Sequence, residues 1–123
     1  MKRFLWVLVL VMLPMTALQA MTVAVFLDKA DALERKGMMA MFSSDLRLLK
    51  AEVKGATGQL RAERLRRIAA GQRPFYCPPE RMSLNSDQLL AHLRTIPPVQ
   101  RQRMELRDAL RLMLARRYPC PAA

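Results

Sequence analysis

Residues 76–80 read Tyr-Cys-Pro-Pro-Glu, and residues 118–121 read Tyr-Pro-Cys-Pro. Cys77 and Cys120 are the two cysteines of the chain, and both lie in short proline-containing segments outside any helical pattern. In an oxidising compartment such a pair predicts one disulfide, with two buried free thiols as the alternative. The bridge closes a loop of 43 residues, which is worth about 4 kcal/mol on the chain-entropy model.

The first twenty residues have the three-part layout of a secretory signal peptide. A basic pair precedes an apolar run over 4–13, and small or polar residues then lead to Ala20. A retained membrane anchor is the alternative, but this run is shorter than the roughly 18–20 residues that cross a bilayer as a helix. We therefore expect a signal peptide over 1–20, a domain over 21–123 without a stable membrane anchor, and a periplasmic or secreted location.

The charge of the chain favours acidic partners. Its formal net charge is +11, and two of the 21 cations, Lys2 and Arg3, lie in the expected signal peptide, so the mature domain carries about +9. An acidic protein, an anionic envelope polymer or nucleic acid would suit this charge. An exported protein rarely meets nucleic acid, and the chain has no zinc-ligand spacing and no recognition-helix signature, so we predict no nucleic-acid partner.

Apolar residues at helical spacing predict an all-α fold, a small domain of four to five helices closed by one disulfide. The expected helices cover about 22–36, 44–71, 86–96 and 98–118, and no segment alternates like a strand. Short polar side chains suited to N-caps precede them, and a proline starts the last one. The N-cap candidates are Thr22, Ser43, Ser44, Asn85 and Ser86.

The second helix carries a stripe of small residues, Ala51, Gly55, Gly58 and Ala62. Glycine inside a helix costs about 1 kcal/mol relative to alanine, so two glycines need an explanation. One is close packing against another helix or a second copy of the chain, which would make a homodimer. The other is a kink or break near 55–58.

The chain has few side chains of the kinds that carry out catalysis. The one histidine, His92, has no second histidine or free cysteine at metal-ligand spacing, and its position suits a partly exposed structural residue. Most carboxylates alternate with Lys or Arg at helical spacing, as in solvated ion pairs. We predict that the protein is not an enzyme and that it needs no metal or cofactor.

Arginines recur at four-residue steps on the last expected helix, at Arg103, Arg107 and Arg111. Such a row is either a solvated face or a binding surface, and the planar guanidinium suits carboxylates in a desolvated interface. We predict a partner-binding surface formed by this row and the proline-rich loop before the third helix.

The C-terminal half, over about 75–120, resembles the Rap/Tai family of immunity proteins of bacteria with type VI secretion. The residues that carry the resemblance are Tyr76-Cys77-Pro78-Pro79-Glu80, Gln88-Leu89, Leu93, Pro98, Ala109-Leu110, Leu114 and Tyr118-Pro119-Cys120. The resemblance implies an all-helical periplasmic protein, often dimeric. It also implies a protein partner, a peptidoglycan-degrading effector that the protein neutralises by binding.

Two other functions stay open. One is a periplasmic stress chaperone, although an acid switch needs many carboxylates and this chain has only 10 Asp and Glu residues. The other is a cationic envelope-binding protein whose arginines contact anionic surface polymer.

Overall fold

The computed structural model describes residues 20–122, so the expected signal peptide lies, apart from Ala20, outside the described residues. Between 20 and 122 the chain forms five α-helices and one 3₁₀ helix and no strand, which confirms the all-α prediction. In chain order these are α1 (Val23–Lys36), the 3₁₀ helix (Gly37–Phe42), α2 (Ser44–Ala69), α3 (Ser86–Arg94), α4 (Pro98–Arg101) and α5 (Leu106–Arg117).

Local sequence signals set most helix boundaries. The side-chain oxygens of Thr22, Ser43 and Asn85 each accept a hydrogen bond from a backbone N–H two or three residues further on, at 3.3, 3.2 and 2.8 Å. These caps satisfy N–H groups that have no partner within the helix. Gly37 ends α1 with a φ of 57°, a left-handed conformation that favours glycine.

The core surrounds α5, which packs against α1, α2 and α3. Ala109 and Leu110 on this helix are fully buried. Leu89 and Leu93 of α3 and Ile96 just after it are buried, and Tyr76 of the loop is buried with them. The other buried apolar residues are Val23, Phe26, Leu27, Ala30, Leu33, Leu49, Ala56, Leu60, Leu106, Met113 and Leu114.

The predicted disulfide is present between Cys77 and Cys120, with the two Cα atoms 4.9 Å apart. The backbone N–H of Cys77 also donates to the carbonyl oxygen of Tyr118 at 2.8 Å. The guanidinium of Arg73 donates to the carbonyl oxygens of Cys120 and Pro121 at 3.0 and 2.8 Å. The loop before α3 is thereby fixed to the C-terminal end of α5.

The prediction of one helix over 98–118 is wrong, because the chain leaves the helix after Arg101 and resumes it at Leu106. An isolated antiparallel bridge between Thr22 and Glu105 occupies the gap. In this bridge the N–H of Leu106 donates to the Met21 carbonyl, and the N–H of Val23 donates to the Met104 carbonyl, both at 2.9 Å. A long-range pairing thus replaces the intrahelical hydrogen bonds there.

The small-residue stripe of α2 faces outward. Ala51, Gly55, Gly58 and Ala62 are all exposed, and a Cβ added at either glycine would have no neighbouring atom within 4 Å. Close packing against another helix of the same fold is therefore wrong. A break near 55–58 is also wrong, since α2 is continuous over this stretch, and a kink there stays a prediction. Contact with a second copy stays a prediction.

Candidate binding surface

A long trough lies between α2 and the segment 76–90, which comprises the second half of the loop and the start of α3. Both α2 and α3 pack on α1 and α5, but no Cα atom of α2 lies within 8 Å of a Cα atom of α3. Helix α1 forms the floor between them. We use "the trough" below for the space between α2 and residues 76–90, which α1 floors at one end only.

One half of the trough is apolar and has a volume of about 590 Å³. Phe26, Ala30 and Leu33 of α1 form its floor. Apolar side chains line both walls, and Glu34, Lys50 and Lys54 also line this half. The apolar wall residues are Leu46, Leu49, Val53, Leu84, Leu89 and Leu90. This half could bury several apolar side chains of a partner.

The other half is basic and has a volume of about 670 Å³. Lys54, Arg61 and Arg64 lie along its α2 wall, against one carboxylate, Glu80, on the opposite side. Tyr76, Pro78, Pro79 and Met82 complete the opposite wall. Lys54 and Thr57 line both halves, so the apolar and basic parts adjoin along α2.

Gly58 lies in the wall of the basic half, whereas Gly55 lines neither half. Both glycines are exposed and have open space where a side chain would begin. Glycine at position 58 therefore widens the trough, and a larger side chain there would project into it.

The predicted arginine row does not form one face. Arg103 lies in the turn between α4 and α5 and is exposed, while Arg107 and Arg111 lie on α5 and point toward α2. The Arg107 guanidinium donates to Gln59 at 3.3 Å and to Glu105 at 3.4 Å. Two of the three predicted binding arginines thus already contact acceptors of their own chain.

Arg111 makes the stronger set of contacts. Its guanidinium donates to Glu63 on α2 at 2.7 Å and to Asp108 on α5 at 2.9 Å. The hydrogen bond with Glu63 is the main cause that raises the pKa of Arg111 above its ordinary value, against the lowering effect of burial. Phe75 lies beside this group, with its ring centroid 5.7 Å from the Arg111 guanidinium and 4.3 Å from that of Arg67. These contacts join α5 to α2.

The sequence did not predict the trough, although it named some of its parts. Helical periodicity alone places Leu46 and Val53 on the core face of α2 and Leu90 on the core face of α3, yet all three are only half-buried. Their apolar character is that of core residues, so periodicity alone could not separate the two roles. The loop expected to contact a partner does line the basic half.

The structure also places the histidine and the possible metal-ligating side chains of residues 20–122. His92 is half-buried, and its Nε2 lies 3.1 Å from the carbonyl oxygen of Ala109. Within residues 20–122, no group of three or more His, Cys, Asp or Glu side chains is arranged to hold a metal ion. No helix in this range combines the length and the apolar character needed to cross a membrane.

Comparison with known proteins adds no relative. No protein-family model matches the chain, and no curated protein or solved structure is significantly similar to it.

Proposed function

We propose that this is an exported, non-catalytic protein that binds a segment of another protein in the trough. The observation that carries the proposal is the trough itself, an open surface that is apolar at one end and basic at the other. Such surfaces are typical of binding sites for amphipathic segments. The disulfide supports a periplasmic or secreted location, because disulfides persist in oxidising compartments.

The dimensions and charge of the trough define the partner segment. Leu46 and Arg64 lie at the two ends of the trough, and α2 rises about 27 Å between them. A helix of about 18 residues spans that length. Its side chains would be apolar along the half that meets Leu46 and acidic along the half that meets Arg61 and Arg64, since opposite charges favour both encounter and register.

The resemblance to Rap/Tai immunity proteins gives this partner an identity, a peptidoglycan-degrading effector. Residues that carry the resemblance, Tyr76, Pro78 and Pro79, also form a wall of the basic half. Neutralisation would then follow from occupation of the trough by a part of the effector that its active site needs. A second copy of the chain is the alternative occupant.

Photo-crosslinking followed by binding measurements tests the proposal. A photoreactive amino acid replaces Met82 in the trough and, as the control, Val99, an exposed apolar residue of α4 that does not line the trough. We expect Met82, but not Val99, to crosslink one envelope protein. The affinity for that protein is then measured for Gly58→Leu and for the matched control Gly55→Leu.

Leucine at position 58 should weaken binding by at least about tenfold, because it overfills the trough. Leucine at position 55 should leave the affinity unchanged. Equal affinities of the two variants, or a crosslink from Met82 to a second copy of the chain, would contradict the proposal. If the captured partner cleaves peptidoglycan and the complex does not, the immunity role is supported; a partner without this activity would refute that role.

A further inference from the structure

The 3₁₀ helix Gly37–Phe42 forms an exposed apolar tip between α1 and α2. Met38, Met39, Met41 and Phe42 are 86, 68, 73 and 82% exposed. Proteins seldom leave four large apolar side chains so accessible in one short segment unless the patch meets a partner or a membrane. None of the four lines the trough, so this tip is a separate surface from the one assigned to protein binding.

Positive charge surrounds the tip. Arg35 and Lys36 at the end of α1 and Arg47 in the first turn of α2 are exposed, and none has an ion-pair partner among residues 20–122. The neighbouring carboxylates are engaged elsewhere. Asp31 and Glu34 accept from Arg94 at 3.0 and 2.9 Å, and Asp45 accepts from Lys29 at 3.2 Å. The uncompensated charge next to the tip is therefore cationic.

We propose that this tip inserts into the surface of an anionic phospholipid bilayer. The tip projects from the fold, so a protein partner would need a matching apolar cavity, whereas the bilayer interface accepts a projecting apolar group without one. Methionine is unbranched and flexible, and phenylalanine is favoured at the boundary between headgroups and acyl chains. Arg35, Lys36 and Arg47 would meet anionic headgroups while the apolar side chains enter between them.

Co-sedimentation with vesicles tests this contact, with the protein as recovered from the periplasm of expressing cells. The probes are vesicles of equal parts phosphatidylcholine and phosphatidylglycerol, and vesicles of phosphatidylcholine alone. We expect binding to the anionic vesicles that weakens as salt is raised. The Met38→Ser, Phe42→Ser double variant should bind at least about tenfold more weakly.

The Arg35→Ser, Lys36→Ser double variant tests the contribution of the cations to vesicle binding. Each cation near an anionic bilayer contributes about fivefold in partition, so this variant should lose about 25-fold at low salt. Val99→Ser, at a residue 67% exposed on α4, is the matched control and should bind like the wild type. Circular dichroism checks that all variants fold.

Three results would overturn the proposal: no sedimentation of the wild type with anionic vesicles, equal sedimentation with neutral vesicles, or an unchanged partition of the Met38→Ser, Phe42→Ser variant. Weakened binding of that variant to the crosslinked protein partner, with unchanged vesicle binding, would assign the tip to a protein interface instead. The trough variants leave this surface intact, so either proposal can fail without the other.

Discussion

Removing the disulfide should destabilise the protein strongly without changing its core. In the Cys77→Ala, Cys120→Ala double variant the unfolded chain regains the freedom of a loop of 43 residues. On the chain-entropy model this costs about 4 kcal/mol of unfolding free energy. In a domain of about 100 residues, 1 kcal/mol shifts the melting temperature by about 4–8 °C, so we expect a decrease of roughly 15–30 °C.

Thermal unfolding followed by circular dichroism measures this shift, with and without reductant. The wild type should melt lower when reduced, and the double variant should be insensitive to reductant, which makes the variant its own control. The hydrogen bonds of Cys77 to Tyr118 and of Arg73 to Cys120 and Pro121 hold the same segment. A melting temperature of the variant within about 5 °C of the wild type would show that these contacts fix the loop without the bridge.

Two further predictions concern α2 and its attachment. Gly55→Leu and Gly58→Leu should each raise the unfolding free energy, measured by urea denaturation, by up to about 1 kcal/mol, because both sites are exposed helix positions with open space. A loss of stability at either site would mean that the glycine makes a required contact. A double-mutant cycle of Arg111→Met and Glu63→Gln should give a coupling energy of about 1 kcal/mol, since the two side chains are 28 and 25% exposed and 2.7 Å apart. A coupling energy near zero would show that this pair does not link α5 to α2.

The parts of the fold that depend on local signals were predictable from sequence. Thr22, Ser43 and Asn85 mark helix starts by hydrogen bonds to N–H groups two or three residues away, and Gly37 marks an end by its backbone conformation. Such signals act within one helical turn. The proline-flanked cysteines were equally readable, because two thiols in an exported chain allow one pairing.

The features of the fold that could not be predicted from sequence depend mostly on contacts between residues far apart in the chain. The interruption before α5 exists because Thr22 pairs with Glu105, and no local pattern near 102–105 reveals a partner that far along the chain. The exposure of Phe42 and its neighbours could not be predicted either, since an apolar cluster by itself suits a core as well as an exposed tip. The hydrogen bond of Arg107 could not be predicted from sequence either, because its acceptor Gln59 is on another helix.

The arginines and the disulfide act together on the trough through α5. Arg107 and Arg111 attach α5 to α2, which is one wall of the trough. The Cys77–Cys120 bridge attaches the residues just after α5 to the opposite wall at Tyr76 and Pro78. Both walls are therefore held to the same helix, α5, and these links constrain the width of the basic half. A surface ordered in advance loses less conformational freedom on binding, which favours tight association. Arg107 and Arg111, which the sequence predicts to touch a partner, would thus act mainly by fixing the proposed binding surface.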